Sequence, residues 1–209
     1  IILVGNRSVV EPQITRYPNC PSNVSILHAS ETIGMDEPPV ASIRKKRDSS
    51  INVGIAAVRE GKADAFVSAG NTGAVVSAAT LNLGLLPGVE RPGIVITLPA
   101  LKGETMLIDV GANINSKPLH LLQYALMGEA YARFVLERQN PSVGLLNIGE
   151  EETKGPDFIK ETYGLLEHAG INFVGNVEGR DMFSGEYDGI VCDGFVGNVA
   201  LKTAEGLAS

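Results

Sequence analysis

The chain has 209 residues, enough for one large domain with a continuous core, and 44% of them are hydrophobic. A net charge of −7 argues against a general nucleic-acid-binding surface, and an aromatic content of 5% without Trp argues against a surface that stacks bases. Cys20 and Cys192 are too few and too far apart for a disulfide scaffold, which favours a reducing compartment, and no apolar run reaches the ~18 residues of a membrane span.

Short apolar runs alternate with longer helical stretches along the chain. The runs that indicate strands cover residues 1–4, 24–28, 63–68, 94–98, 105–109, 144–148, 171–174 and 189–192. The predicted helices cover residues 49–60, 72–83, 119–138, 156–169 and 196–207. Most strands are continuous aliphatic or β-branched runs, as expected for strands that are buried on both faces. The alternation predicts an α/β fold with a doubly wound, mostly parallel sheet.

Four further features describe the organisation of the chain. Runs 94–98 and 105–109 are joined by a short Gly-containing link, which predicts a hairpin and therefore a mixed sheet. The acidic, Pro-containing stretch 31–39 predicts a surface loop. No repeat or clear linker interrupts the sequence, so we expect a single α/β domain over residues 1–209. The chain opens on Ile1 without Met and stops inside a predicted helix, which leads us to expect a fragment.

The stretch S-A-G-N-T-G-A at 68–74 is the first candidate binding loop. Ligands of open parallel sheets bind beyond the carboxyl ends of the strands, and this stretch follows a predicted strand and opens a helix. Free N–H groups at a helix start attract anions, and glycine permits close approach. The alternative is a Gly-rich turn capped by Asn71 or Thr72, and the spacing leaves both interpretations open.

Asp109 and Asn113 belong to a second turn, D-V-G-A-N at 109–113, which also follows a predicted strand directly. The carboxylate can orient a donor or act as a base, and the amide can donate to a carbonyl or phosphate oxygen. For this turn alone, the favoured interpretation is an Asx-capped turn that leads to the helix after Pro118.

Lys154 stands in a third loop, N-I-G-E-E-E-T-K-G at 147–155, beside three carboxylates and before a helix. The lysine can pair with a substrate phosphate, although a solvated charged loop near a helix N-terminus is the simpler interpretation.

The fourth loop, C-D-G-F-V-G-N-V at 192–199, is followed by Lys202. Asn198 and Lys202 are four residues apart and share one helix face if the helix includes both. The alternative is helix capping by Asp193 with a surface lysine. Since all four loops follow buried strands, we expect them to converge on one crevice that suits an anionic substrate.

Several other chemistries have no support in the sequence. His28, His120 and His168 show no metal-ligand spacing, and no G-x-S-x-G elbow occurs. Cys192 ends a buried strand and is interpreted as a small apolar filler. The densest basic run, Arg44, Lys45, Lys46 and Arg47, is either a solvated face or a surface that docks an acidic partner.

The four loops together resemble the motifs of the bacterial phosphate acyltransferase family in their residues and in their order along the chain. The matching stretches are S-A-G-N-T-G-A at 68–74, D-V-G-A-N at 109–113, G-L-L-N-I-G at 144–149 and D-G-F-V-G-N-V at 193–199. The resemblance implies transfer of a fatty acyl group from acyl carrier protein to inorganic phosphate, giving an acyl phosphate for phospholipid synthesis. It implies a three-layer α/β/α sandwich similar to phosphotransacetylase, with no cofactor and no metal. It also implies a homodimer in the cytoplasm that associates peripherally with the inner membrane face, although the family's opening strand and C-terminal helices have no counterpart here.

The resemblance also implies roles for the candidate residues. Phosphate is expected at the start of the helix after 68–74, Lys154 and Lys202 are expected to offset its charge, and Asn113 and Asn198 are expected to hold the thioester carbonyl. Asp109 or Asp193 is expected to accept a proton or orient a donor, and the basic run 44–47 is expected to dock the carrier protein. The residues expected around phosphate are Ser68, Gly70, Asn71, Thr72 and Gly73.

Three alternatives remain. A phosphotransacetylase-like enzyme would use a short acyl-coenzyme A for the same chemistry. A nucleotide-binding module is weakened because no G-x-G-x-x-G follows the first strand. A non-catalytic scaffold for lipid-synthesis enzymes is the third.

Overall fold

The structure is a computed structural model that describes residues 1–208. Contacts between Cα atoms divide the chain into two compact units, Ile1–Leu86 and a second that starts at Pro87. The single domain expected over the whole chain stays a prediction.

The first unit carries a small parallel sheet and four helices. Strands β1 and β2 pair in parallel, with Ile2 opposite Ser25 and Gly5 opposite His28. Buried Ile33, Ile43 and Ile55 form its core together with small residues of the last helix. The elements are β1 (Ile2–Gly5), α1 (Arg7–Ile14), β2 (Ser25–His28), α2 (Pro39–Lys45), α3 (Ser50–Arg59) and α4 (Thr72–Asn82).

The predicted strand at 63–68 is wrong, because this segment forms no β-ladder in the described part of the chain. Phe66 packs towards Gly54 of α3, whereas Val67 is 93% exposed. The segment lines a groove of about 810 Å³ together with residues of β1 and α3. An extended segment becomes a strand only when a neighbouring strand takes up its backbone hydrogen bonds, and here no described strand does.

Two helices of the first unit were not predicted. Helix α1 is capped by Asn6, whose side chain accepts from the Ser8 backbone N–H. The helix buries none of its residues, so its sequence needs no apolar stripe of the kind that predicts a helix. Helix α2 starts at Pro39, where the predicted loop 31–39 ends, because proline suits the first turn of a helix.

The second unit is a five-stranded sheet in the order β3-β4-β7-β5-β6. Only the β3–β4 pair is antiparallel, which confirms both the hairpin and the mixed, mostly parallel sheet. A 3₁₀ helix at Gly179–Phe183 was not predicted. The elements are β3 (Val95–Ala100), β4 (Gly103–Ile108), α5 (Pro118–Phe134), β5 (Val143–Leu146), α6 (Asp157–Leu166), β6 (Phe173–Val177), β7 (Gly189–Val191) and α7 (Gly194–Ala208).

Apolar residues cover both faces of this sheet. On one face Met106, Val143 and Leu145 pack with Leu121 of α5 and Leu166 of α6. The other face has a second cluster, which contains Leu107, Ile190, Met182 and Leu201. The central strands β4, β7 and β5 are buried on both sides, which accounts for their continuous apolar runs, and the α/β fold class is confirmed for this unit. Among residues 1–208, no helix is both long and apolar enough to cross a membrane.

Candidate functional site

Asn71 sits at the start of α4 in the left-handed conformation, with φ of 39°. Its side-chain oxygen accepts from the Ala74 backbone N–H at 3.0 Å, so the residue is the N-cap. Its amide nitrogen donates to the carbonyl oxygens of Gly34, at 2.8 Å, and Glu37, at 3.2 Å. Asn71 is buried, and its side-chain contacts within the chain favour a role in shaping the loop over direct contact with a ligand.

The helix start that Asn71 organises is open. The backbone N–H groups of Thr72 and Gly73 have no acceptor within residues 1–208, and the Thr72 side chain is exposed. Ser68 lies at the exposed edge of the loop, where its hydroxyl donates to the Gly70 carbonyl oxygen at 3.3 Å. Two free N–H groups at the positive end of an 11-residue helix can hold an anion.

The turn at Asp109 differs from the open start of α4, because the buried Asp109 carboxylate accepts from the backbone N–H groups around it. One oxygen accepts from the N–H groups of Ile94, Gly111 and Ala112 at 3.0, 3.1 and 2.9 Å. The other oxygen accepts from the Asn113 N–H at 2.9 Å. This arrangement closes the turn 109–113 around the carboxylate and favours an orienting role for Asp109 over that of a base.

Asn113 is held inside the same turn. Its amide nitrogen donates to the Pro92 carbonyl oxygen at 2.6 Å and to the Tyr124 hydroxyl at 2.8 Å. Burial, together with the negative charge of Asp109, raises the pKa of Tyr124 to about 12, so this hydroxyl stays protonated. The Asn113 amide is therefore engaged within the protein, which favours a positioning role over the expected contact with a carbonyl.

Asp193 caps helix α7, as the alternative interpretation of its loop proposed. Its side chain accepts from the N–H groups of Phe195 at 2.9 Å and Val196 at 3.1 Å. The Gly194 N–H donates to the Asn113 carbonyl oxygen at 3.0 Å, and a Cβ at Gly194 would lie 2.7 Å from that oxygen. Glycine is thus required for the close approach of the two loops, and the first turn of α7 offers no free donor to an anion.

Asn198 is a candidate residue of this unit whose side chain is free. The side chain is exposed and makes no hydrogen bond with the rest of the described chain. A Cβ added at Gly111 would lie 3.6 Å from its side-chain atoms, so Asn198 lies beside the turn 109–113. Lys202, one helical turn further on, forms an ion pair with Glu205 at 2.7 Å.

Lys154 carries an ammonium group that forms no ion pair with any described residue, although Glu150, Glu151 and Glu152 precede it. Its backbone carbonyl oxygen accepts from the Asn147 amide at 3.1 Å, which ties the loop to the end of β5. The ammonium group is available to an anionic ligand.

The basic run is divided by its contacts. Arg44, Lys45 and Arg47 are exposed and form no ion pair within the described part of the chain. Lys46 instead donates to the Thr32 carbonyl oxygen at 2.7 Å and forms an ion pair with Glu37 at 2.6 Å. Only three of the four residues therefore present free charge to a partner.

Cys192 is buried, and its thiol donates to the Asp109 carbonyl oxygen at 3.5 Å. Burial raises the pKa of this thiol, so it stays protonated, and the interpretation as an apolar filler holds. Across residues 1–208, no three His, Cys, Asp or Glu side chains are grouped to hold a metal ion.

Sequence reasoning missed two residues that organise these loops. Glu37 lies in the stretch interpreted as a surface loop, and Tyr124 lies in the middle of a long helix. No local motif marks either residue, because their partners are distant in the sequence. Glu37 lies 34 positions from Asn71, and Tyr124 lies 11 positions from Asn113.

Comparison with known proteins gives one consistent family. A family model described as "Fatty acid synthesis protein" matches residues 1–209. A phosphate acyltransferase of Nitratidesulfovibrio vulgaris is 51% identical over 210 residues, which cover 100% of this chain and 61% of that protein. A phosphate acyltransferase of Desulfitobacterium hafniense is 53% identical over 209 residues, covering 100% of this chain and 62% of that protein. The chain thus spans about three-fifths of the length of these curated relatives.

Solved structures agree on the fold. A phosphotransacetylase from Staphylococcus aureus matches with a TM-score of 0.68 and 19% identity, covering 99% of this chain and 74% of that one. A phosphotransacetylase from Streptococcus pyogenes matches with a TM-score of 0.66 and 18% identity, covering 98% of this chain and 73% of that one. At this identity the likeness supports the predicted phosphotransacetylase-like α/β fold alone.

Proposed function

The chain belongs to the fatty acid synthesis protein family, and from that premise we propose that its parent protein transfers an acyl group to inorganic phosphate. The observation that carries the proposal is about 50% identity to phosphate acyltransferases over the whole of this chain. The open start of α4 supports a phosphate site there, since Thr72 and Gly73 keep N–H groups that are unpaired within the described residues.

The proposed reaction needs little chemistry from the protein. A phosphate oxygen attacks the thioester carbonyl carbon, the C–O bond forms, and the C–S bond breaks. The thiolate leaves and takes up a proton, and since a thiol has a pKa near ~8.5 it is a fair leaving group without a strong acid. The protein must therefore position the two reactants and stabilise the oxyanion, which explains the lack of a nucleophile motif.

Each candidate residue receives a role consistent with its contacts. The loop containing Ser68 and Gly70, with the N–H groups of Thr72 and Gly73, is proposed to bind phosphate. The free amide of Asn198 is proposed to donate to the thioester carbonyl oxygen. The remaining candidates support these two groups: Asn71, Asp109, Asn113 and Asp193 orient the loops, and Lys154 and Lys202 offset substrate charge.

The proposed acyl donor is acyl carrier protein. Its acidic surface would meet the exposed cations Arg44, Lys45 and Arg47, which mainly steer association. Reversing Arg44 and Arg47 to Glu should lower the association rate with the carrier and reduce its salt dependence, whereas unchanged kinetics at every salt concentration would remove this docking surface. By the same family resemblance, we propose that the full-length protein is a cytoplasmic homodimer that associates peripherally with the inner membrane face.

One assay tests the proposed reaction. The full-length protein is incubated with acyl carrier protein thioester, with and without phosphate, and release of the free carrier thiol is followed. Phosphate-dependent release together with acyl phosphate formation is expected. No thiol release from the carrier thioester, and none from acyl-coenzyme A, would refute the acyltransferase and favour a non-catalytic protein.

The fold likeness to phosphotransacetylases favours acyl-coenzyme A as a second candidate donor. The same assay with acyl-coenzyme A in place of the carrier thioester distinguishes the two. A higher kcat/KM with the coenzyme A thioester would transfer the proposal to that donor class.

A further inference from the structure

The basic run and the phosphate-binding loop are joined by one side chain, Glu37. One oxygen of its carboxylate accepts from the Lys46 ammonium at 2.6 Å and from the Gly34 N–H at 2.7 Å. The other oxygen accepts from the Ser42 hydroxyl at 3.0 Å. All of these donors come from the first unit, and together they fix the turn 34–37 against α2.

The turn 34–37 also fixes the start of α4. The carbonyl oxygens of Gly34 and Glu37 are the two acceptors of the Asn71 amide, and Asn71 directly precedes the open N–H groups. Space there is limited, because a Cβ on Gly73 would lie 2.7 Å from the Pro39 side chain at the start of α2. A shift of the turn would therefore move the proposed phosphate donors.

Lys46 also balances charge. Glu37 contacts Asn71 through its backbone carbonyl oxygen, and its carboxylate accepts from the Gly34 N–H in the same turn. Lys46 is the cation that pairs with this carboxylate. Removing Lys46 would leave an uncompensated negative charge near the phosphate, which weakens anion binding through Coulomb repulsion.

We propose that Glu37 and Lys46 are positioning residues for phosphate, so that Lys46 serves the 68–74 loop while its neighbours in the basic run face solvent. This inference rests on the proposed function, because it concerns the phosphate site of that reaction. It predicts that two adjacent lysines affect the binding of two different substrates, Lys45 that of the carrier protein and Lys46 that of phosphate.

Lys45→Met is the matched control for Lys46→Met. Both changes remove one positive charge from adjacent positions, but Lys45 is exposed and pairs with no described residue. In the full-length protein, Lys46→Met should raise the KM for phosphate by about tenfold and leave the carrier KM within about twofold. Lys45→Met should leave the KM for phosphate unchanged.

Two further variants separate positioning from general stability. Lys46→Arg keeps the ion pair and should restore the KM for phosphate to within about threefold of the wild type. Glu37→Gln combined with Lys46→Met removes the stranded carboxylate and should recover part of the phosphate affinity, although it restores no contact. A merely structural role predicts that the double variant binds phosphate no better than Lys46→Met.

The inference is overturned if both single lysine variants raise the KM for phosphate equally, or if Lys46→Met changes only the carrier KM. Should Lys46→Met fail to fold, Ser42→Ala keeps both charges and loosens Glu37, and an unchanged KM for phosphate would then overturn the inference.

Phosphate affinity is also measured by thermal shift, without any acyl donor. An inactive wild-type protein would refute the proposed reaction, whereas phosphate binding that differs between Lys46→Met and Lys45→Met would still support the positioning role. Equal phosphate binding by these two variants would overturn it.

Discussion

The loops at 68–74 and 109–113 have similar sequences but opposite electrostatic designs. Both contain glycine and asparagine, and the sequence predicts that both follow a strand and line the binding crevice. In the second loop the Asp109 carboxylate takes up the backbone N–H groups, so the turn is closed to an external anion. In the first loop a neutral amide, Asn71, caps α4 and leaves two N–H groups open. A Gly-rich turn therefore binds an anion only when no side chain of its own supplies the negative charge.

The largest effect is expected from Asp109→Ala. This change leaves the partly buried N–H groups of Ile94, Gly111, Ala112 and Asn113 without their acceptor, and an unsatisfied donor costs about 1–3 kcal/mol where water does not reach it. We expect the free energy of unfolding to fall by at least about 3 kcal/mol, measured by denaturant titration. Asp109→Asn keeps one oxygen and should lose less. A stable Asp109→Ala protein would contradict the closed-turn description.

Asn198→Ala tests whether the free amide beside the closed turn takes part in catalysis. Loss of one oxyanion donor should lower kcat by about 10²–10³-fold, and the exposed position should keep the free energy of unfolding within about 0.5 kcal/mol of the wild type. Asn113→Ala is the internal control, since its amide is engaged with Pro92 and Tyr124 and its loss should lower stability. Full turnover by Asn198→Ala would remove the residue from the proposed site.

Asn71→Ala and Thr72→Ala distinguish the residue that shapes the open loop from the one at its surface. Loss of the cap should lower the free energy of unfolding by about 1–2 kcal/mol in Asn71→Ala, whereas Thr72→Ala should leave stability nearly unchanged. Both should raise the KM for phosphate. Thermal and denaturant unfolding together with phosphate kinetics check the pair, and an Asn71→Ala protein of wild-type stability would speak against the cap.

The smallest effect is expected in the pH dependence of stability that comes from Glu37, which holds the turn beside the open loop. The ion pair with Lys46, then the Gly34 N–H and the Ser42 hydroxyl, lowers the pKa of Glu37 from 4.5 to about 2. A lowered pKa in the folded state means that the ionised carboxylate stabilises the fold at higher pH and that this stabilisation is lost as pH falls from about 4.5 towards 2. The stability difference between wild type and Glu37→Gln should therefore be constant near neutral pH and shrink on acidification through that range. A difference independent of pH would contradict the network.

The sequence was most informative where local pattern and tertiary environment agree. The central strands β4, β5 and β7 of the second unit are buried on both faces, so their apolar runs are continuous and their positions were predicted to within a few residues. The failure at 63–68 has the opposite cause, since an extended apolar run needs a neighbouring strand that sequence alone does not guarantee. The expected meeting of loop 68–74 with the other loops stays a prediction.

The amino-acid sequence by itself determined the α/β class, the family resemblance and the loops that carry polar residues, because these depend on residue type and spacing along the chain. Only the tertiary structure decided which polar groups are free. Asn71, Asn113 and Lys46 are engaged with partners, whereas Asn198 and Lys154 are not. The physical reason is that a hydrogen bond depends on the position of both partners, and the partners of Asn71 and Lys46 come from turns distant in the sequence.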